Sequence, residues 1–286
     1  MKKNTSFTLI ELLVVIVIIG VIAGVIIVTT TSFISKANIA KLKVFEESVA
    51  NNLAANMVSR WKLDGNANDA WGSNNGTWSG ATSGDNRSAN YRPESECVSG
   101  QCLDFDGTDD YIDCGNDNSL NITNKITISA WVKLNKETNY QSIVRKANDG
   151  GNQYVLYITS EMYPYFNSFD TSWHTYTGTI SVEEKAWTHI VVSYNGTKVN
   201  FYINSIDAGV FDGSFSLKSP SSPTALFIGG DSYYLNGSID DVRIYNAALS
   251  SSQIKQNYIA GLNSLLSNGN ISSEEYNQRI EVLSSR

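Results

Sequence analysis

The hydrophobic pattern divides the chain into four stretches. From Phe7 to about Phe33 the only charge is Glu11, and the apolar run from Leu12 to Val28 is unbroken. As a helix, this stretch rises roughly 40 Å at 1.5 Å per residue, enough to cross the hydrocarbon core of a membrane. From Lys36 onward, Ile39, Leu42, Phe45, Val49, Leu53 and Met57 recur at spacings of three or four. That period predicts an amphipathic continuation of the helix, with one stripe to pack on the head of the protein. No proline precedes Pro93, so nothing forces a kink. The predicted helix covers 7–57, its membrane-spanning part about 7–33.

Between about Val58 and Leu249 the pattern changes to short alternating or aromatic-rich runs separated by clusters of Gly, Asn, Asp and Ser. This is the signature of an all-β sandwich. The clearest strands are Ile126 to Leu134, Tyr154 to Thr159, His189 to Tyr194, Lys198 to Asn204 and Ser238 to Tyr245. Asn195-Gly196 predicts a tight turn joining two of them. In the strand from Lys198, Val199, Phe201 and Ile203 share the core face, while Asn200, Tyr202 and Asn204 share the wet one. Asp106-Gly-Thr-Asp-Asp110 lies between two strand-like runs and is expected to be a hairpin turn rather than a cation site.

The last stretch, 250–286, is helical again. Leu249 to Ala260 predicts a short helix, and Gly261 to Leu283 gives two amphipathic pieces separated by Asn268-Gly-Asn270. Ser272 or Ser273 is placed to cap the final piece before Glu274 and Glu275.

Charge and composition narrow the functions open to the chain. Of its 286 residues 42% are hydrophobic and 17% charged, which fits a globular β domain with accessory segments and excludes a disordered chain. The net charge of −7 has no Lys/Arg cluster within it, so a nucleic acid partner is not expected. Lys2 and Lys3 on the short side of the apolar run place the N-terminus in the cytoplasm and the rest of the chain outside. Cys97, Cys102 and Cys114 lack C-x-x-C spacing, which argues against thiolate metal binding. In an oxidising compartment Cys97 and Cys102 can close a small disulfide and leave Cys114 free; a Cys102 to Cys114 bridge is the competing pairing.

Ser6-Phe7-Thr8-Leu9-Ile10-Glu11-Leu12-Leu13 resembles the prepilin peptidase recognition sequence of type IV pilins and type II secretion pseudopilins. The resemblance implies that residues 1–6 are a leader, cleaved between Ser6 and Phe7 by a prepilin peptidase, with methylation of the new Phe7 amine. The family usually has Gly where this chain has Ser6. It also implies that the helix enters a filament with other pilin or pseudopilin subunits. A Glu11 carboxylate buried there needs a partner, which the Phe7 ammonium of a neighbouring subunit would supply. Gly20 and Gly24 form a G-x-x-x-G pair that permits close helix approach.

Residues 58–249 resemble the LamG-like jelly rolls of the concanavalin A-like lectin/glucanase fold. The resemblance rests on Trp61-Lys-Leu-Asp64, Leu103-Asp-Phe-Asp-Gly-Thr-Asp-Asp-Tyr111, Ile128-Ser-Ala-Trp131, Trp187-Thr-His-Ile-Val191 and Asn236-Gly-Ser-Ile-Asp-Asp-Val-Arg-Ile-Tyr245. The expected fold is therefore mainly β: a long N-terminal helix, a jelly-roll sandwich and a short C-terminal helical hairpin. Residues 265–276 resemble a SHOCT-type motif.

Glucanases on this fold carry a Glu-x-Asp-x-x-Glu strand, because alternate residues must flank one glycosidic bond. No such run occurs here, and Glu94, Glu96, Glu183 and Glu184 are expected in loops. His189 is expected to finish a strand and His174 to lie in a loop, neither in a catalytic arrangement. The resemblance further implies a structural calcium held by Asp240, at the start of the last strand, with help from Asp64. Tyr163, Tyr165, Trp173, Tyr176, Tyr233 and Tyr234 are candidates to stack on sugars.

These features together predict a non-enzymatic pilin-like subunit that displays a lectin-like head for an extracellular glycan or protein. The alternatives are a membrane-anchored binding protein that does not polymerise and a surface glycan-cleaving enzyme.

Overall fold

The computed structural model describes residues 54–80, 90–148, 151–217 and 224–284. The expected leader, Ser6, Phe7, Glu11 and the membrane-crossing stretch lie outside the described residues. The helical stripe expected to run through Met57 does not reach it. Ala54–Asn56 form a single 3-10 turn, and Met57 opens a strand whose alternate residues are buried. A period-2 burial pattern has replaced the period of the helix.

The first seven strands are β1 (Met57–Trp61), β2 (Thr77–Ser79), β3 (Tyr91–Arg92), β4 (Cys102–Asp106), β5 (Tyr111–Asp113), β6 (Ile126–Leu134) and β7 (Gln141–Asn148). Next come β8 (Gly151–Ile158), β9 (Pro164–Phe169), β10 (Trp173–Thr177), β11 (Thr188–Tyr194), β12 (Lys198–Ile203), β13 (Ile206–Asp212), β14 (Leu226–Ile228) and β15 (Asn236–Tyr245). Helices α1 (Ser251–Ser267) and α2 (Ser273–Ser284) complete the order.

Among the described residues the strands form two antiparallel sheets. One runs β13-β12-β11-β6-β15-β4-β3 with β1 also on β15, and the other runs β10-β9-β8-β7-β14-β5-β2. The five strands expected from alternation are all present, and Asn195 closes the β11–β12 turn by accepting from the backbone N–H groups of Thr197 and Lys198. One expectation is corrected: the segment 106–110 is not a hairpin turn. β4 belongs to the first sheet and β5 to the second, so these residues form a corner between sheets.

Alternation explains the core. Ile126, Ile128, Ala130, Val132 and Leu134 of β6 point between the sheets, where they meet Tyr154, Leu156 and Ile158 of β8 and Ile190, Val192 and Phe201 from β11 and β12. The opposite face of β6 is buried too, because the helical pair covers it. Trp131 packs there with Tyr258, Leu262 and Leu265 of α1, and with Trp187 and the Cys97–Cys102 segment. Burying two faces accounts for the nearly continuous burial of β6.

The helices also correct an expectation. α1 passes through Gly261 without a break, and the chain turns only at 268–270. Gly261 is tolerated within the helix because a Cβ there would sit 2.5 Å from the Trp131 indole. Close approach to the sheet, rather than helix termination, explains this glycine. Ser250 begins α1 with a capping box to Gln253, and Ser272 Oγ accepts from Glu275 N before α2. Among the described residues no helix is long and apolar enough to cross a membrane.

Candidate binding site on the second sheet

The two outer faces of the sandwich differ. The helical pair covers the first, while the outward residues of β7, β8 and β9 line a cavity of about 240 Å³ on the second. Strand register builds its floor. Arg145, Val155 and Asn167 are cross-strand partners in one row, and Tyr157 pairs with Tyr165 in the next outward row. The Tyr157 and Tyr165 rings lie 6.4 Å apart and within 3° of parallel. Both parallel rings line the cavity.

The walls come from two loops. Tyr140 immediately precedes β7 and packs on Tyr157, Tyr165 and Tyr233 with centroids 6.3, 5.3 and 5.7 Å away. Tyr233 meets Tyr157 edge-on at 5.6 Å. The loop between β14 and β15 that carries Ser232 and Tyr233 is pinned to β7 by a hydrogen bond from Ser142 N to the Tyr233 carbonyl, 2.8 Å long. Gly229 starts that loop with φ +84°, and a Cβ there would meet Phe105 at 2.1 Å. This position accepts only glycine.

Tyr140 and Tyr233 remain 39% and 41% exposed, whereas Tyr157 is buried. Burial, only partly opposed by Arg145, pushes the Tyr157 phenol up to about 12, so it stays a neutral donor at physiological pH. Arg145 is held from the side by an ion pair with Asp231. A mostly aromatic concavity with a few fixed polar groups has the anatomy of a small-ligand site, and flat ring faces suit the apolar faces of sugars.

Of the six aromatic candidates from the sequence, the structure brings only Tyr165 and Tyr233 to this cavity. Trp173 pairs with Phe169, Tyr176 packs near Phe211 and Phe215, and Tyr234 donates to the Asp231 carbonyl. Tyr163 precedes β9, where its backbone closes a turn with Thr159. Tyr140, Tyr157 and Arg145 were not among the candidates. The alternation of β8 held a signal for Tyr157, since Tyr154, Leu156 and Ile158 face inward and leave it outward.

The other site residues gather on a six-residue loop closed by a disulfide between Cys97 and Cys102; Cys114 is free and buried. Asp240 Oδ2 accepts from Val98 N at 2.9 Å and Ser99 N at 3.0 Å, and Asp64 Oδ1 accepts from Gln101 N at 2.9 Å. Asp240 is 1% exposed and its Oδ1 has no hydrogen-bond partner. Burial, reinforced by the Asp241 carboxylate, drives the Asp240 pKa well above the usual carboxylate range despite those two N–H donors. A β-bulge interrupts the strand after Asp240. Burial would raise Asp241 as well, but Arg243 and Arg60 outweigh it and hold that carboxyl low. Asp106, Asp109 and Asp110 form the group of acids with ligand atoms within 4.8 Å of one another among the described residues, at the corner between sheets.

Both histidines lie in strands. His174 is in edge strand β10 rather than a loop, 2.9 Å from Asp170. His189 Nε2 is 2.8 Å from Ser129 Oγ, but the pair is buried beneath Trp131 and Tyr258, and no carboxylate meets the other ring nitrogen. Glu94 and Glu96 lie in a 3-10 turn.

Residues 106–255, just over half of the 286-residue chain, match the profile of the concanavalin A-like lectin/glucanases superfamily, and residues 1–27 match that of the prokaryotic N-terminal methylation motif. No curated protein matches the chain. Among solved structures, domain 4 of AbnA, a GH43 extracellular arabinanase from Geobacillus stearothermophilus in complex with arabinotriose, aligns with a TM-score of 0.57 at 20% identity. That alignment covers 70% of this chain and 97% of that one. The binding domain of Paraclostridial Mosquitocidal Protein 1 aligns with a TM-score of 0.57 at 14% identity over 74% of this chain and 53% of that one. A structure of botulinum neurotoxin type C, whose cell entry depends on interaction with two ganglioside molecules, aligns with a TM-score of 0.55 at 14% identity over 74% and 52%. The chain thus spans about half the length of the toxin structures, and these likenesses concern the fold.

Proposed function

This chain belongs to the concanavalin A-like lectin/glucanase superfamily and carries a prokaryotic N-terminal methylation motif, and from that premise we propose that it is a pilin-like subunit whose jelly-roll head binds a glycan at the tyrosine-lined cavity. The observation that carries the reading is the asymmetry of the sandwich: helices cover one outer face, while the other bears four clustered tyrosines around an open concavity. The motif supports processing by a prepilin peptidase between Ser6 and Phe7, membrane insertion before assembly, and a place in a pilus or at the cell surface. Glu11 pairs with the Phe7 amine of a neighbouring subunit in that filament. Similarity to a domain in complex with arabinotriose and to a toxin whose cell entry depends on interaction with two ganglioside molecules favours a carbohydrate over a protein ligand.

The test combines processing and binding. The chain is expressed with a prepilin peptidase, and its intact mass and N-terminal sequence are read beside those of Glu11→Ala. A methylated Phe7 start, with entry into sheared filaments lost in the variant, is the expected result. An intact Met1 and no filament material would make the chain a membrane-anchored binding protein instead. Glycan binding weakened about tenfold by Tyr140→Ala supports the site; turnover of a polysaccharide would overturn the non-enzymatic reading.

A structural calcium at Asp240 is the second reading, favoured by its buried, unpartnered Oδ1. An ion there would supply the positive charge that lets this carboxyl ionise, with Asp64 across the same loop as a further ligand. Calcium should raise the unfolding temperature of the natural chain and leave Asp240→Asn unmoved; equal responses would sink the reading.

A further inference from the structure

The polar groups of the tyrosine cavity narrow its ligand further. Besides the four phenols it is lined by Arg145, Asn167 and Ser232, so its one charged lining residue is a cation. Asp231 pairs with Arg145 and is not among the lining residues. A guanidinium has five N–H donors, and one such pair with a carboxylate leaves part of the fork to face a ligand. Tyr157, beside Arg145, is kept neutral by burial and presents no negative charge to an incoming anion. A neutral sugar offers the guanidinium only hydroxyl acceptors, which take weaker bonds from it than an anionic oxygen does.

Resting on the glycan-binding reading above, we propose that the cavity selects acidic glycans, pairing a sugar carboxylate or sulfate with Arg145 while the sugar ring lies on the tyrosine faces. The net charge of −7 opposes anions at a distance, so the selectivity is made at contact rather than by steering. Arg145 is the specificity-determining residue, and Asp231 positions it.

The test uses the full chain in detergent and paired probes: polygalacturonate against its methyl ester, sialyllactose against lactose, and a sulfated against an unsulfated galactan. Acidic members should bind at least about tenfold more tightly than their neutral partners. The carboxylated and sulfated arms distinguish the two anion sources. Arg145→Gln should erase that ratio, and Arg145→Lys should restore part of it. Ser232→Asp places a carboxylate on an exposed rim position without disturbing the fold, and should likewise abolish the acidic preference. Equal binding of acidic and neutral probes, or a ratio unchanged in both Arg145→Gln and Ser232→Asp, overturns the proposal. If Tyr140→Ala then still weakens binding about tenfold, the glycan-binding reading stands without it. Binding of none of the probes overturns both.

Discussion

Tyr258 of α1 lies over Trp131 of β6 with ring centroids 5.5 Å apart and planes only 16° from parallel. This stack joins the C-terminal helical pair to the central strand of the first sheet. Gly261, one turn further along α1, lets the helix approach until its backbone touches the indole. The tail is therefore part of the head's second core rather than an appendage in solvent.

Enlarging Gly261 should consequently damage the head, not just the tail. Gly261→Leu forces side-chain atoms into the Trp131 ring and should cost about 1–3 kcal/mol. Tyr258→Ala, which empties a buried aromatic position, should cost about 3–5 kcal/mol. Both are read from chemical denaturation of the full chain. Unchanged stability in both variants would mean that the helical pair does not hold to the sheet.

The disulfide loop lies beneath the same helices. Asn270 Nδ2 donates to the Cys97 carbonyl at 2.8 Å, and Asn268 Nδ2 to the Val98 carbonyl at 3.3 Å. Closing so short a loop restricts the unfolded chain by about 2 kcal/mol in the chain-entropy view. Cys97→Ser with Cys102→Ser should lose about that amount. It should also increase hydrogen exchange at 268–271, because the loop carbonyls that anchor the turn between helices are no longer fixed. Exchange confined to 97–102 would show the two regions to be uncoupled.

The sandwich was legible where strands were long enough to alternate. β6, β8, β11 and β12 each carry a local period that names both their type and their inward face, whereas in β15 the bulge after Asp240 breaks it. Strands of two or three residues, such as β3 and β14, are too short to show one. Sheet membership was not legible either. Nothing in Asp106-Gly-Thr-Asp-Asp110 distinguishes a hairpin from a corner, since both need the same turn residues. The cavity was hidden for a related reason: Tyr140, Tyr157, Tyr165 and Tyr233 come together only through the register of β7, β8 and β9 and the pinning of a loop from the far end of the chain.

That register separates binding from stability among the tyrosines. Tyr140 and Tyr233 are exposed, so Tyr140→Ala and Tyr233→Ala should change unfolding free energy by less than about 1 kcal/mol. Each should weaken glycan binding by about tenfold, the worth of a lost stacking partner. Tyr157→Ala should lose both, because this ring is floor and core together. Calorimetry beside thermal unfolding separates the cases. Full binding by Tyr140→Ala would remove the cavity as the site.

His189 ties the same helix–sheet interface to pH. Its ring lies 5.1 Å from Trp131 and 6.0 Å from Tyr258, bonds Ser129 through Nε2, and is fully enclosed. Burial first, and then the nearby Arg243 charge against a weaker pull from Asp241, lowers its pKa to about 3. The unfolded chain takes up a proton near pH 6.5, whereas the folded one resists until about 3. Between those values the unfolded state binds more protons, so stability must fall as the pH falls, by as much as about 1.4 kcal/mol per pH unit from this group. The contribution is fully present above 6.5. His189→Gln removes the titration, so the stability advantage of the natural chain over the variant should shrink steadily from pH 6.5 downward. An advantage that stays constant to pH 4 would mean that His189 accepts its proton inside the fold, and that the space between Trp131 and Tyr258 admits a charge.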